Sequence, residues 1–458
     1  VIYDALVLFL RLVTRIFFRS IEVVGRERVP QGGAVIFAGN HPNSLMDPVL
    51  ITTTCGRRVR FAAKDTLFES PFLRPFLWAL GSVPIKRRMD HEGAQLDNGS
   101  AFEALFGVLR AGGAFGIFPE GVSHVESQLQ PLKTGAARMA LGAAEQGILV
   151  RIVPSGLNFR QRARMRTRVL VQFGEPIVID DSWVARWKAD PKDAARALTQ
   201  EIDRALRAQT INVEDYEVLR VLDGVRRLYV PRGLSLPLAD QASVLRRFIE
   251  GWEVVRDEPD VRDIFRDVSG YLALLDALGL SDEDLSRGVS RGQAFWRLVR
   301  HAVLLIVYVP VAVPGLVLHT PVLLLAMTAS RFTHRNDVVA TIKMMTLAFM
   351  TLATYVVVVA MVFVSMPFPY DWASSSMTLV ALLLTGWATI RVLERQAVVR
   401  TGFATLMRLI DLKHELIRLR EQRDDLRRRV LELVDRFTPA TLERVVPRDS
   451  QGILPDDV

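Results

Sequence analysis

At 458 residues, half of them hydrophobic, the chain has room for about two to three domains, with its apolar density concentrated at the N-terminus and between about 300 and 390. A formal charge of +8 points to an anionic partner: a membrane surface, a phosphorylated substrate or nucleic acid. Aromatic residues are not interleaved with the basic ones as single-strand nucleic-acid binders require, and the one cysteine, Cys55, excludes an internal disulfide framework and a cysteine-rich metal site.

Residues 2–19 read as an apolar helix with Arg11, Arg15 and Arg19 on one stripe beside Leu8, Phe9, Leu12 and Ile16. Such a helix suits a membrane interface, with a core-packed helix as the alternative. From 20 to 180 strands alternate with helices: strands at 34–39, 58–63, 82–86, 114–118, 149–154 and 168–173, helices at 44–54, 71–80, 96–111 and 134–146. That pattern predicts an α/β fold, a mixed sheet with helical cover, whose ligands gather beyond the carboxyl ends of strands. His41, Lys64, Arg87 and Glu120 all fall at or just after those ends.

Four blocks carry the chemistry. Asn40-His41-Pro42 follows the apolar run Ala34 to Ala38 and precedes a helix that Ser44 would cap, with Asp47 three residues on. A carboxylate beside an imidazole orients the ring and stabilises its protonated form, which suits a general base; the alternative is that Asp47 completes a capping box. Gly81 to Arg88 ends a strand in Lys86, Arg87 and Arg88, where an arginine fork can hold a phosphate. Phe118-Pro119-Glu120-Gly121 turns out of a buried strand, and Lys133 and Gly135 open a helix that suits an anion. Val153-Pro154 closes another strand.

In order and spacing these blocks resemble the membrane-bound glycerolipid acyltransferases, over roughly residues 20–180. The interval between His41 and Asp47 is one residue longer than that family usually has, and Val122-Ser123-His124 stands where Thr-Arg-Ser is usual. Both departures look like the branch that acylates glycerol-3-phosphate or dihydroxyacetone phosphate. The resemblance implies that His41 is the base, Asp47 its orienting carboxylate and Arg87 the grip on the acceptor phosphate, with Glu120 and Gly121 shaping that pocket and Lys86 and Lys133 nearby. It implies an acyl-CoA or acyl carrier protein thioester as co-substrate, no permanent cofactor and no metal. Asn40, Lys64, Arg160, Arg162 and Arg164 are weaker candidates for the donor or lipid side.

Further along, Arg160, Arg162, Arg164, Arg166 and Arg168 would share one face of an extended segment. Two readings stand: a solvated hairpin edge, or a strip for a nucleotide, an acidic carrier or lipid headgroups. Residues 181–296 read as a soluble helical region without motifs. Residues 297–391 read as the membrane region: 302–328 a re-entrant or broken span, because Pro310, Pro314-Gly315 and Pro321 interrupt it, then a hairpin of 344–366 and 374–390. Residues 392–458 form a long helix and tail, with heptads over 405–434 and Arg423 at a core position. That helix either makes a homodimer or packs on the chain's own helices.

The expected function is acyl transfer to glycerol-3-phosphate or dihydroxyacetone phosphate, in a cytoplasmic or inner membrane with the catalytic domain cytoplasmic. The alternatives are a lysophospholipid acyltransferase, a non-catalytic membrane tether on the same fold, and a metal hydrolase. For the last, His41, His91 and His124 lack compact ligand spacing.

Overall fold

Every residue of Ala34–Gly39 is buried, as a strand covered on both faces must be. This is β2, the middle of the sheet. The computed structural model describes residues 1–71, 73–86, 99–231, 234, 236–286, 291–333, 335–367, 369–411 and 413–437. Contacts divide the chain into two units, the first being Val1–Glu214 with Ser330–Met344.

In chain order the first unit holds α1 (Ile2–Phe17), β1 (Ser20–Val24), β2, α2 (Met46–Thr54), β3 (Val59–Lys64), α3 (Arg74–Ala79), β4 (Val83–Ile85) and α4 (Gly99–Arg110). There follow β5 (Ala114–Ile117), α5 (Gly135–Glu145), β6 (Val150–Phe159), β7 (Arg168–Phe173), β8 (Ile177–Val178), α6 (Asp181–Ala189) and α7 (Pro191–Arg207). The strand order is β1-β7-β6-β2-β5-β3-β4, with β8 on β6. The pairs from β6 through β4 are parallel, and β6 pairs antiparallel with β7. The sheet is therefore mixed. The edge strand β1 pairs in parallel with β7, and its polar–apolar alternation, Ser20-Ile21-Glu22-Val23, is only four residues long.

Helices α5 and α7 pack their small and aliphatic residues, among them Ala137, Ala140, Leu198 and Ile202, against Ile36, Phe115 and Ile152. The unit thus runs on to Glu214, past the expected end at 180, because α7 has a strongly apolar face that needs the sheet. Helix α1 buries Val7, Leu10, Thr14 and Phe17 while Leu8, Leu12 and Ile16 face outward. It is both core-packed and apolar outside.

The second unit holds α8 (Tyr216–Tyr229), α9 (Leu238–Val255), α10 (Pro259–Leu278) and α11 (Asp282–Ser286), the bulk of α12 (Arg291–Arg331), α13 (Val339–Ser365) and α14 (Tyr370–Asp411), and α15 (Lys413–Phe437). Among the described residues three stretches are long and apolar enough to cross a membrane: Leu298–Arg331, Val339–Ser365 and Tyr370–Gln396. Residues 302–328 stay helical through all three prolines, so Pro314-Gly315 is not a loop. Gly315 is needed for close approach: a Cβ there would come within 2.4 Å of the Thr385 carbonyl oxygen and Thr389 Oγ1 of α14. Helices α13 and α14 form a hairpin, with Phe363 against Trp372 and the Tyr355 hydroxyl donating to the Leu382 carbonyl.

The heptad face of α15 is covered within the chain. Leu419, Leu426 and Val430 pack with Val221, Leu228, Val268 and Tyr271, which leaves the homodimer reading without that surface. Leu412 lies outside the described residues, as do the side chains of Leu409 and Leu416. Arg423, 2 % exposed, makes two hydrogen bonds to Asp282, at 2.8 and 3.1 Å, and Tyr271 donates to the same carboxylate. A buried guanidinium at a heptad core position is stable only because such a partner meets it.

Candidate active site

Parallel pairing of β2, β5, β3 and β4 brings their carboxyl ends to one edge of the sheet, so the residues after them are neighbours. His41 follows β2, the Glu120 turn follows the adjacent β5, Lys64 ends β3 and Lys86 follows β4. Strand spacing puts Lys86 roughly 10 Å from the end of β5. Arg87, Arg88 and His91 lie outside the described residues.

Three contacts fix His41, two on its ring and one on its main chain. Its Nδ1 is 2.9 Å from Asp47 Oδ2, its plane stacks on Phe118 at a centroid distance of 4.1 Å, and its backbone N–H donates to Glu120 Oε1 at 2.7 Å. Gly39 permits the Phe118 ring to approach, since a Cβ there would meet it at 3.1 Å.

Asp47 is fully buried near the start of α2. Its Oδ2 also accepts the Asn43 N–H at 2.7 Å, and no protein partner meets Oδ1 among the described residues. The capping-box expectation fails here. Ser44 adopts the left-handed region at φ 50° and α2 begins after Leu45, so the carboxylate turns back to the histidine and not to a Ser44 amide. Burial pushes the Asp47 carboxyl well above the ordinary carboxylate range, the Asn43 amide and the Arg162 cation pull it down, and the charges of Glu120 and Asp337 add to the upward push.

Glu120, 2 % exposed, does not reach out as a ligand would. Besides the His41 amide it accepts the Gln130 N–H at 2.8 Å and pairs with His124 Nε2. Those bonds braid the turns after β2 and β5 together, and the His124 N–H adds a bond to the His41 carbonyl at 3.2 Å. Gly121, at φ 75°, leaves room for the Lys133 amine, which would lie 2.5 Å from a Cβ. Gly121 and Lys133 are thus brought together.

Other candidates take different roles. Asn40 is committed to the sheet, its side chain making both bonds to the Leu157 backbone at 2.8 and 3.1 Å. The five arginines do not form one strip, because β6 ends at Phe159 and residues 160–167 turn. Arg166, at φ 59°, caps α1 by donating to the Ile16 and Phe18 carbonyls at 2.9 Å; Arg162 is half-buried beside Asp47; Arg160 and Arg164 are exposed.

Residues Ser330–Met344, which link α12 to α13, belong to this unit. Asp337 accepts from the Ser123 hydroxyl and pairs with Arg335, whose Nη2 is also 3.2 Å from Ser123 Oγ. Thr341 Oγ1 donates to the Asn43 carbonyl at 3.2 Å, and Lys343 Nζ to the Ala163 carbonyl at 3.0 Å. No local pattern pointed to these residues, which meet the site from 180 to 298 positions away in the chain. Among the described residues no group of three His, Cys, Asp or Glu side chains is placed to hold a metal.

Two family models match: acyltransferase over residues 20–158, and glycerol-3-phosphate acyltransferase 2 C-terminal domain over residues 221–442. Between them the two models span most of the chain, which is similar to the glycerolipid acyltransferases along that length. Among similar proteins, glycerol-3-phosphate O-acyltransferases 1 and 2 of Saccharomyces cerevisiae are 28% and 26% identical, over 72% and 71% of this chain. The chain spans only 57% and 58% of their length. A 1-acyl-sn-glycerol-3-phosphate acyltransferase of Borreliella burgdorferi is 32% identical over 27% of the chain and 46% of its own. The second model begins within α8 and runs through α15, so it takes in most of the helical region that carries no motif.

Proposed function

We propose that the chain transfers a fatty acyl group from an acyl thioester, of coenzyme A or of acyl carrier protein, to a hydroxyl of glycerol-3-phosphate or dihydroxyacetone phosphate. The observation that carries this is the His41–Asp47 pair at 2.9 Å, set at the carboxyl end of the central strand in a chain similar to this family. Asp47 Oδ2 accepts the proton on Nδ1, which makes Nε2 the basic nitrogen. As the acceptor oxygen attacks the thioester carbonyl, Nε2 takes the hydroxyl proton. The tetrahedral adduct then collapses to the ester, the C–S bond breaks, and the proton passes from Nε2 to the departing thiolate, so no acyl-enzyme is needed. Lys133 with Lys86 and Arg87 would hold the acceptor phosphate.

The membrane reading rests on α12 to α14. The hairpin of α13 and α14 brings its two outer ends to one side, where α15 packs with α8 and α10. Both ends of α12 are then tethered to that side, one through α11 and the other through the short link to α13. On this reading α12 bends at its prolines, dips in and returns, and the basic flanks Arg297, Arg300, Arg331, Arg335, Lys343, Arg391 and Arg395 would all lie on the cytoplasmic side. The outward leucines of α1 would rest on the same membrane face.

Protein reconstituted in anionic liposomes, given labelled palmitoyl-CoA, should acylate glycerol-3-phosphate in preference to lysophosphatidate. His41→Ala should lower turnover about 100-fold or more. A preference for lysophosphatidate would establish the alternative reading, and wild-type turnover in His41→Ala would remove the base.

A further inference from the structure

The link Ser330–Met344 touches each of the three turns that build the candidate site. Asp337, 6 % exposed, takes the Ser123 hydroxyl in the turn after β5. Thr341, 7 % exposed, donates to the Asn43 carbonyl in the turn after β2. Lys343 donates to the Ala163 carbonyl in the turn between β6 and β7.

Asn43 is the pivot of this arrangement. Its N–H holds the Asp47 carboxylate at 2.7 Å, its carbonyl accepts from Thr341, and its side-chain amide donates to the Arg162 carbonyl at 3.2 Å. Moving the Thr341 hydroxyl therefore moves the peptide that aims Asp47 at His41. On the other side, Ser123 precedes His124, whose N–H bonds the His41 carbonyl and whose ring pairs with Glu120. Asp337 is well made for holding this end. Burial would raise its carboxyl, but the bonds from Arg335 and Ser123 outweigh that and keep it below the ordinary carboxylate range, so it is charged wherever the histidine can act as a base.

We infer that residues 335–343 form a positioning strap for acyl transfer, with Thr341 and Asp337 its two anchors. The inference rests on the proposed reaction. The strap lies between α12 and α13 in the chain and belongs to the same unit as the base. Thr341 and Asp337 act through Asn43 and Ser123; neither touches the reacting atoms. Misplacement of a base by a fraction of an ångström is costly because reaction needs near-attack geometry, while the binding contacts for donor and acceptor lie elsewhere.

The test uses the full chain in liposomes. Thr341→Val keeps the shape and removes the hydroxyl; Thr341→Ser keeps the hydroxyl. Thr341→Val is expected to lower kcat roughly 10-fold to 100-fold with both KM values within about 2-fold of wild type, and Thr341→Ser to restore kcat to within about 3-fold. If Thr341→Val does not fold, a cycle of Ser123→Ala, Asp337→Asn and the double variant decides: kcat of the double should match the more impaired single, since both remove one bond. Wild-type kcat in Thr341→Val, a loss that serine fails to rescue, or multiplicative losses in the cycle would overturn the strap. An inactive wild type would instead refute the proposed reaction.

Discussion

The backbone amide of His41 donates to Glu120 Oε1 at 2.7 Å, so a buried carboxylate fixes the candidate base through its main chain. Glu120 spends its acceptor sites on the His41 and Gln130 amides and on His124. Glu120→Gln would turn an N–H donor against one of those donors. The expected result is a loss of about 1–3 kcal/mol in chemical denaturation, with acyl transfer falling in step because the turns after β2 and β5 part. A variant as stable as wild type but inactive would show that Glu120 acts on substrate instead.

Asp47→Asn should separate orientation from stability, and pH gives the sign. The folded Asp47 holds its proton to higher pH than the unfolded chain does, because burial penalises the charge. Stability contributed at this site is therefore greatest below the ordinary carboxylate range, declines as pH rises through the raised pKa and stays lower above it. The asparagine variant lacks this titration, so its melting temperature relative to wild type should improve between acid and neutral pH while its turnover is poor throughout. A variant that loses melting temperature at neutral pH and keeps its turnover would return Asp47 to a structural role.

Much of this site was legible because its parts are local in sequence. An apolar run ending in Asn40-His41, with Asp47 six residues on, and a strand breaking into Phe118-Pro119-Glu120-Gly121 each announce a strand end. The parallel order of β2, β5 and β3 then does the assembly. What escaped notice comes from long-range packing. Asn40 looks like a ligand until Leu157 takes both its bonds; alternating arginines look extended until Arg166 adopts a positive φ to cap α1; and Arg423 looks like a flaw in the heptads until Asp282 appears beside it. The strap residues Asp337 and Thr341 follow an apolar helix and give no local sign of the turns they meet. Edge strand β1 has only half-buried residues after its first, and the alternation Ser20-Ile21-Glu22-Val23 is too short to announce a strand.

The acceptor phosphate offers a third test. Lys133 lies against Gly121, and Gly121→Ala both strains a φ of 75° and crowds the amine. Lys133→Met and Arg87→Lys, which keeps the charge but loses the fork, should each raise KM for glycerol-3-phosphate several-fold while KM for the thioester stays put. If only the thioester KM moves, these cations belong to the donor site.

The membrane path of α12 can be read with single cysteines. Cys55 is wholly buried and burial pushes its thiol up to about 11, so at neutral pH it should stay unlabelled by maleimides and needs no replacement before others are introduced. A helix that crossed straight through would place Phe295 and Asn336 on opposite faces. A helix that dips and returns puts both with the catalytic unit, and the turn between α13 and α14 alone on the far side. A helix that holds three prolines leaves backbone carbonyls unbonded, which neighbouring protein must shield at that depth, and the approach of Gly315 to Thr385 and Thr389 supplies that cover for the first half of α12. In intact cells an impermeant maleimide should therefore label Ala373→Cys and leave Phe295→Cys and Asn336→Cys untouched until the membrane is opened. Labelling of Phe295→Cys from outside, with Asn336→Cys protected, would establish three straight spans and would place α8 to α11 across the membrane from α15, against the packing of Leu228 and Val268 on Leu426.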